Sequence, residues 1–277
     1  MFARLCLRIR YLARALRGRP CECRTPGLFG AWVRLHFYRR THGLTRIQFG
    51  DLILDAHDPK TAQFLLAEIF LDETYGPKLP IENPFIIDCG ANCGFATAFF
   101  KTVYPGAHII AIEPSPTSAA LLKTNVETNR WPQVEVIEAA CGGTTGTMDL
   151  IESHYSPLFN SSDPKRSSGR TVSISVIRLS DLLKDRQPVD LLKMDIEGGE
   201  HEVLRDLCET GSLQKVRHMV VEYHHRMGES RCRLGRFLSV LESNGFTYSI
   251  VAAMNADCRY QKMFQDIMIY ARQQACE

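Results

Sequence analysis

The stretch from Ile86 to Phe99, IIDCGANCGFATAF, restricts the fold of this chain more than any other. Phe85, Ile86 and Ile87, bracketed by Pro84 and Asp88, form a continuous apolar run, which predicts a strand buried on both faces. Gly90 and Gly94 follow at once. Phe95, Ala98, Phe99, Thr102 and Val103 then recur at helical spacing until Pro105 and Gly106 end the run. A strand, a glycine turn and a helix start bring backbone N–H groups to a ligand-facing end, as in open α/β sheets.

The residues in the turn narrow the ligand. A dinucleotide calls for G-x-G-x-x-G, but Asn92 stands where the second glycine belongs and Phe95 where the third does. Asp88, immediately before the first glycine, suits a ligand bearing an ammonium group, such as S-adenosylmethionine. Nineteen positions past Gly94, the apolar run His108 to Ile112 ends in Glu113, where a carboxylate can chelate ribose hydroxyls. That acid serves either cofactor. Gly90 and Gly94 also suffice simply to turn the chain.

At 277 residues and 45% hydrophobic content the chain can fill a proper core. Its net charge of +2 is unevenly spread: Met1 to Gly50 holds eleven arginines and one acid, Glu22, leaving 22 basic and 30 acidic residues in the remainder. A mildly acidic body argues against a broad nucleic-acid groove, so no nucleic-acid partner is expected. The ten cysteines include C-x-C at Cys21 and Cys23, and Cys89 with Cys93 three residues between, but no C-x-x-C pair. Free thiols in apolar settings (Cys89, Cys141, Cys208) point to a reducing, cytoplasmic location. No apolar stretch approaches the roughly 20 residues that span a bilayer.

Residues 1–43 are expected to form a basic extension and 44–277 the catalytic domain. RIQFGDLILD reads as a hairpin ahead of a helix around Thr61 to Leu71. Strand and helix then alternate: a helix capped by Ser115 and Pro116, a third strand Val134 to Ala140, and strands Thr147 to Glu152 and Thr171 to Ile177 around a serine-rich loop. Next come the strand and helix of LLKMDIEGGEHEVL, a fifth strand His218 to Tyr223, a helix from Leu234 closed by Gly245, and strands Phe246 to Ala252 and Asp266 to Tyr270. The alternation predicts a mainly parallel sheet with helices on both faces and ligands at the strands' carboxyl ends. Asp88, Glu113, Ala140, Asp195 and Glu222 all fall at or near such ends.

Taken in order, IIDCGANCGFAT, AIEPSPTSAALLKTNV and LLKMDIEGGEHEVL resemble the FkbM family of class I S-adenosylmethionine-dependent methyltransferases, from about Phe64 to Tyr270. The resemblance implies a Rossmann-like, seven-stranded sheet with a reversed last strand, and methyl transfer, most often to a hydroxyl oxygen. By it, Asp88, Gly90, Asn92, Gly94 and Glu113 hold the cofactor; Ala140, closing the third strand, is assigned to the same side. The region before Phe64 gains nothing from it.

An alcohol becomes a useful nucleophile only when its proton has a destination. Asp195 and Glu197 after the fourth strand, and Glu222, His224 and His225 after the fifth, are the candidate acceptors of that proton. The same acids suit a divalent cation, although no spacing here is diagnostic of one and a direct base is preferred. Glu200 and His201 equally serve to start a helix, and His224 and His225 to line a surface loop. The expected acceptor is a small molecule, glycan or lipid, with a protein or RNA acceptor, or cofactor binding without catalysis, as alternatives. In residues 1–20, Leu5, Ile9, Leu12 and Leu16 share one helical face and Arg10, Arg14 and Arg17 another, fitting peripheral membrane contact, a transit peptide or an ordinary packed helix.

Overall fold

A computed structural model describes residues 26–37, 43–76, 79–153, 160, 168–225, 233–252 and 265–274. The membrane-contact expectation for residues 1–20, and most of the serine-rich loop, lie outside the described residues. Among the described residues no helix is long and apolar enough to cross a membrane.

Helix α1 (Leu28–His36) comes from the stretch expected to be an extension, and it buries Leu28, Ala31 and Leu35 in the cluster that holds Phe49, Phe70 and Phe99. Its single buried face and arginine-bearing remainder are one turn too short to stand out by periodicity. The expected hairpin is β1 (Thr45–Phe49) against β2 (Leu52–Ala56). Helix α2 (Pro59–Leu65), capped by Asp58, runs into a π-helical turn, Leu66–Leu71, in which Asp72 N–H donates to Ala67 O at 2.8 Å. The helix expected over Thr61 to Leu71 is thus widened in its second half.

The main body runs β3 (Phe85–Cys89), α3 (Phe95–Val103), β4 (His108–Ile112), α4 (Pro116–Thr128), β5 (Val134–Ile137), β6 (Ala140–Gly142), β7 (Gly146–Ser153), β8 (Gly169–Arg178), α5 (Leu179–Leu183) and β9 (Leu191–Met194). It closes with α6 (Glu200–Glu209), β10 (His218–His225), α7 (Leu234–Ser243), β11 (Phe246–Ala252) and β12 (Gln265–Gln273). Seven strands form one sheet in the order β11-β12-β10-β9-β3-β4-β5. Neighbours from β10 through β5 pair parallel, while β12 is antiparallel to both β10 and β11. This is the expected Rossmann-like sheet with a reversed last strand. Its order reverses between β3 and β9, where a crevice opens for ligands.

Two expectations change. Val134 to Ala140 is not one strand: the chain leaves the sheet after Ile137, whose carbonyl accepts from Glu113 N–H at 3.0 Å, and Ala140 starts β6 in a separate sheet, β6-β8-β7. The fifth strand runs on to His225 because β12 continues to pair with it, His224 opposite Asp266. His224 and His225 are therefore strand residues rather than loop residues.

Consecutive strand residues point to opposite faces, so Ile86, Ile109, Leu191 and Val220 join one core cluster and Ile87, Ile110, Leu192 and Val221 the other. That is why these strands read as unbroken apolar runs. Phe70 bridges Phe49 and Phe99 edge to face, at centroid separations of 5.2 and 5.7 Å.

Two asparagines join the hairpin to this body. Asn125 Oδ1 accepts from Asp55 N–H at 2.7 Å, and its Nδ2 donates to Asp55 O at 2.9 Å and Cys93 O at 2.7 Å. Asn129 repeats the pattern on Ile53, accepting at 3.0 Å and donating at 2.7 Å. Four residues of helix climb about 6 Å and two of strand about 6.6 Å, so the two amides match alternate residues along β2. Replacing the fully buried Asn125 by Ala strands one N–H and two carbonyls and should lower stability by about 3 kcal/mol in urea unfolding. Asn125→Asp, which cannot donate, should be no milder. A loss below about 1 kcal/mol for either variant would contradict this account.

Candidate active site

The turn after β3 is shaped by its neighbours. Gly90 and Ala91 both donate their N–H to Ile112 O, at 2.9 and 3.0 Å, folding the turn over the end of β4. Gly90 has φ +77°, and a Cβ on it would lie 1.7 Å from the carbonyl oxygen of Asp195. Gly94, at φ +91°, would meet Leu122 Cδ1 at 2.6 Å. Both glycines are thus required by packing within the protein, and only glycine fits at Gly90. Asn92 has a left-handed φ of 49°, accepts from Cys93 N–H through its side chain at 2.7 Å, and donates its own N–H to Glu113 Oε2 at 2.8 Å.

Glu113 sits just past β4, buried, with Oε1 accepting from Ser115 N–H at 2.9 Å. Burial pushes its carboxyl up to about 7, although the two backbone N–H groups pull the other way. A carboxylate has roughly four acceptor positions, so two remain for a ligand's hydroxyls. Ala140 stands apart from the expectation, because it begins a strand of the smaller sheet instead of ending a strand of the large one.

Asp88, expected to face a ligand's ammonium, faces that of Lys193 instead. Lys193 Nζ lies 3.1 Å from Asp88 Oδ1, and donates to Gly90 O at 2.7 Å and Cys89 O at 3.3 Å. Asp88 Oδ2 accepts from Thr97 Oγ1 at 2.7 Å. Burial acts to lower the Lys193 pKa, but Asp88, Asp195 and Glu222 outweigh it and hold the ammonium above its ordinary range. Its Nζ also lies 5.0 Å from the centre of the Tyr75 ring.

Around Tyr75 the candidate catalytic acids converge. Its hydroxyl lies 3.0 Å from Asp195 Oδ2 and 2.9 Å from Glu222 Oε2. One hydroxyl proton cannot serve two carboxylates. At any moment it points to one of them, and burial, followed by the charges of Asp195 and Glu68, raises the Glu222 carboxyl well above its usual range. Glu68, carried by the π-helical turn, is pushed up to about 8 by burial and by Asp195 and Asp266.

His224 is buried beside them. Its Nδ1 is 2.8 Å from Glu200 Oε1, which also accepts from Gly198 N–H at 3.0 Å. Its Nε2 faces Glu197 Oε2 at 3.6 Å, Asp195 Oδ1 at 3.7 Å and Asp266 Oδ1 at 4.0 Å. Burial lowers its pKa, yet the Glu200 hydrogen bond and the surrounding charges more than offset this and raise it to about 10. Glu197 adopts a left-handed φ of 54°, rare for a residue with a side chain. His201 turns away, its Nε2 2.8 Å from the Tyr223 hydroxyl.

The FkbM methyltransferase domain matches residues 88–248, more than half of the chain. The chain belongs to this family. Among its relatives, methyltransferase sdnD of Sordaria araneosa is 31% identical over 193 residues, covering 58% of this chain and 74% of that protein. Methyltransferase 1 of Beauveria bassiana is 27% identical over 212 residues, covering 68% and 82%. The 2-O-methyltransferase NoeI of Sinorhizobium fredii is 26% identical over 179 residues, covering 58% and 72%.

In this FkbM methyltransferase four of the five residues singled out from the sequence, Asp195, Glu197, Glu222 and His224, come together at the strand ends, while His225 lies beside Tyr223, their ring centres 6.1 Å apart. Lys193, Tyr75, Glu68 and Glu200 complete the cluster and were not singled out. Lys193 carried a signal: a lysine inside the apolar run LLKM needs a buried acid. Tyr75 and Glu68 carried none, since their approach depends on the π-helical turn.

Removing one partner of the buried pair should be costly. Lys193→Met leaves Asp88 uncompensated and should destabilise by about 3–5 kcal/mol, whereas the double change Lys193→Met with Asp88→Asn should recover part of the loss. Urea unfolding of the three proteins checks it; a double variant as unstable as the single would show that the charge on Asp88 is not the cause.

Proposed function

We propose that this methyltransferase uses S-adenosylmethionine to methylate a hydroxyl oxygen of a small-molecule, sugar or lipid acceptor, with Asp195 accepting the hydroxyl proton. Asp195 carries the reading. It follows β9 beside the glycine turn, its side chain is 26% exposed, and Tyr75 fixes Oδ2. The relative named as a 2-O-methyltransferase supports oxygen as the acceptor atom.

The residues present fit the cofactor. Glu113 offers acceptor positions for two ribose hydroxyls, and the acids at the strand ends favour a cation nearby. The first turn of α3 has no side-chain cap, which leaves its N–H groups for a carboxylate. When bound, S-adenosylmethionine supplies an electrophilic methyl carbon and a neutral thioether leaving group. The protein's tasks are to hold the acceptor oxygen in line with that carbon and to receive its proton. Tyr75, whose hydroxyl also reaches Glu222, orients Asp195 for the second task.

Asp195→Asn should leave cofactor affinity within a few-fold and lower turnover about 10²–10⁴-fold. The assay incubates the protein with carbon-13 methyl-labelled cofactor and fractionated cell extract and reads the labelled carbon by NMR, where a methyl on oxygen is distinct from one on nitrogen. A nitrogen-bound label, or unchanged turnover in Asp195→Asn, would refute the reading.

Glu113 gives a second test. Its folded-state pKa of about 7 is raised, so the protein without cofactor binds a proton there that ribose hydroxyls must displace. Affinity for S-adenosylmethionine should therefore rise with pH through that value, falling roughly tenfold between pH 8 and pH 6. Glu113→Gln should bind more weakly and without this dependence. Calorimetry showing a parallel pH dependence in both proteins would remove Glu113 from the role.

A further inference from the structure

We propose that Asp195, Glu197 and His224 form a binding site for one divalent metal ion at the acceptor end of the pocket. The imidazole decides this more than the acids do. The His224 side chain is only 3% exposed, and its Nε2 makes no hydrogen bond among the described residues. It is nevertheless aimed between carboxylate oxygens, 3.6 Å from Glu197 Oε2 and 3.7 Å from Asp195 Oδ1. These separations are too long for hydrogen bonds. They are what two ligands show when each lies about 2.1–2.2 Å from a shared ion and they subtend roughly 115–120° at it.

The three donor atoms all lie within 4.8 Å of one another, and so do those of Glu222, His224 and Asp266, so His224 stands where the two groups meet. Its other nitrogen is held by Glu200, which is 1% exposed and also accepts from Gly198 N–H. A buried carboxylate behind one ring nitrogen fixes the ring and directs the second nitrogen at a metal. Glu197, by its left-handed backbone, turns its side chain to the same point, a strained conformation of the kind that clusters at ligand clamps. Two carboxylates and one imidazole suit manganese, iron(II) or zinc, and leave positions open for acceptor oxygens. A bound ion would take Asp195 Oδ1 and would itself acidify an acceptor hydroxyl in place of that oxygen's service as base; this part rests on the function proposed above, whereas the ion's binding does not.

The test therefore uses neither cofactor nor acceptor. Full-length protein stripped with chelator is titrated with Mn²⁺, and free ion is followed by electron paramagnetic resonance. One ion per chain should bind. Glu197→Gln, a change at a one-third-exposed side chain that circular dichroism should show to be folded, should weaken binding by about 10–100-fold. Pulsed measurements on bound Mn²⁺ should show nitrogen from a coordinated imidazole, lost in His224→Gln. If no stoichiometric binding occurs, if Glu197→Gln binds as tightly as the parent, or if the bound ion shows no nitrogen, the site is not there. Failure of O-methylation with intact Mn²⁺ binding would reject only the acceptor reading.

Discussion

A lysine ammonium in the middle of a sheet is tolerated only when its three N–H groups have acceptors and its charge an opposite. Lys193 meets both conditions through Gly90 O, Cys89 O and the Asp88 carboxylate. Those partners belong to β3 and the turn after it, while Lys193 belongs to β9, so the pair spans the point at which the sheet's order reverses. The glycine turn is consequently held from below by a cation and from the side by the Asp195 carbonyl. Positions of the ligand-facing residues follow from that anchorage.

The same cation leaves a surplus of acid above it. Asp195, Glu222 and Glu68 crowd one end of Lys193, already neutralised by Asp88, and burial raises the carboxyls of Glu222 and Glu68 above their usual range. Tyr75 links two of them, its hydroxyl reaching both Glu222 and Asp195. Acids that look alike along the chain are thus set apart by what they face: Glu222 the Tyr75 hydroxyl, Glu197 the His224 Nε2, and Asp195 both.

The parallel sheet was legible because its strands are apolar on both faces and its helices carry ordinary caps, as at Ser115 and Pro116. Strand lengths were less so. Nothing local in His218 to His225 says that pairing continues through His224; that depends on a partner strand some forty residues later. Ligand-facing positions were legible where a polar group ends an apolar run, as Glu113 and Asp195 do. The direction in which Asp88 points was not, since an acid before a glycine reads alike whether its counter-ion comes from a ligand or from Lys193. Asn125 and Asn129 read as polar face residues of a helix, and their service to the backbone of β2 appears only when hairpin and helix are seen side by side.

The position of β12 bears on biosynthesis. Of the seven strands it is the last in chain order, yet it lies between β10 and β11 and pairs with both. Chains emerge from the ribosome amino end first, so β3, β4, β9 and β10 can associate while β10 still presents an open edge. That edge carries His224 and Glu222, and until β12 arrives with Asp266 and Met268 both lack the neighbour opposite them. A nascent or prematurely terminated chain would display an unpaired, largely apolar strand, the usual template for aggregation. Completion of the pocket and protection of the edge are therefore one event, late in synthesis, and a truncated product has neither.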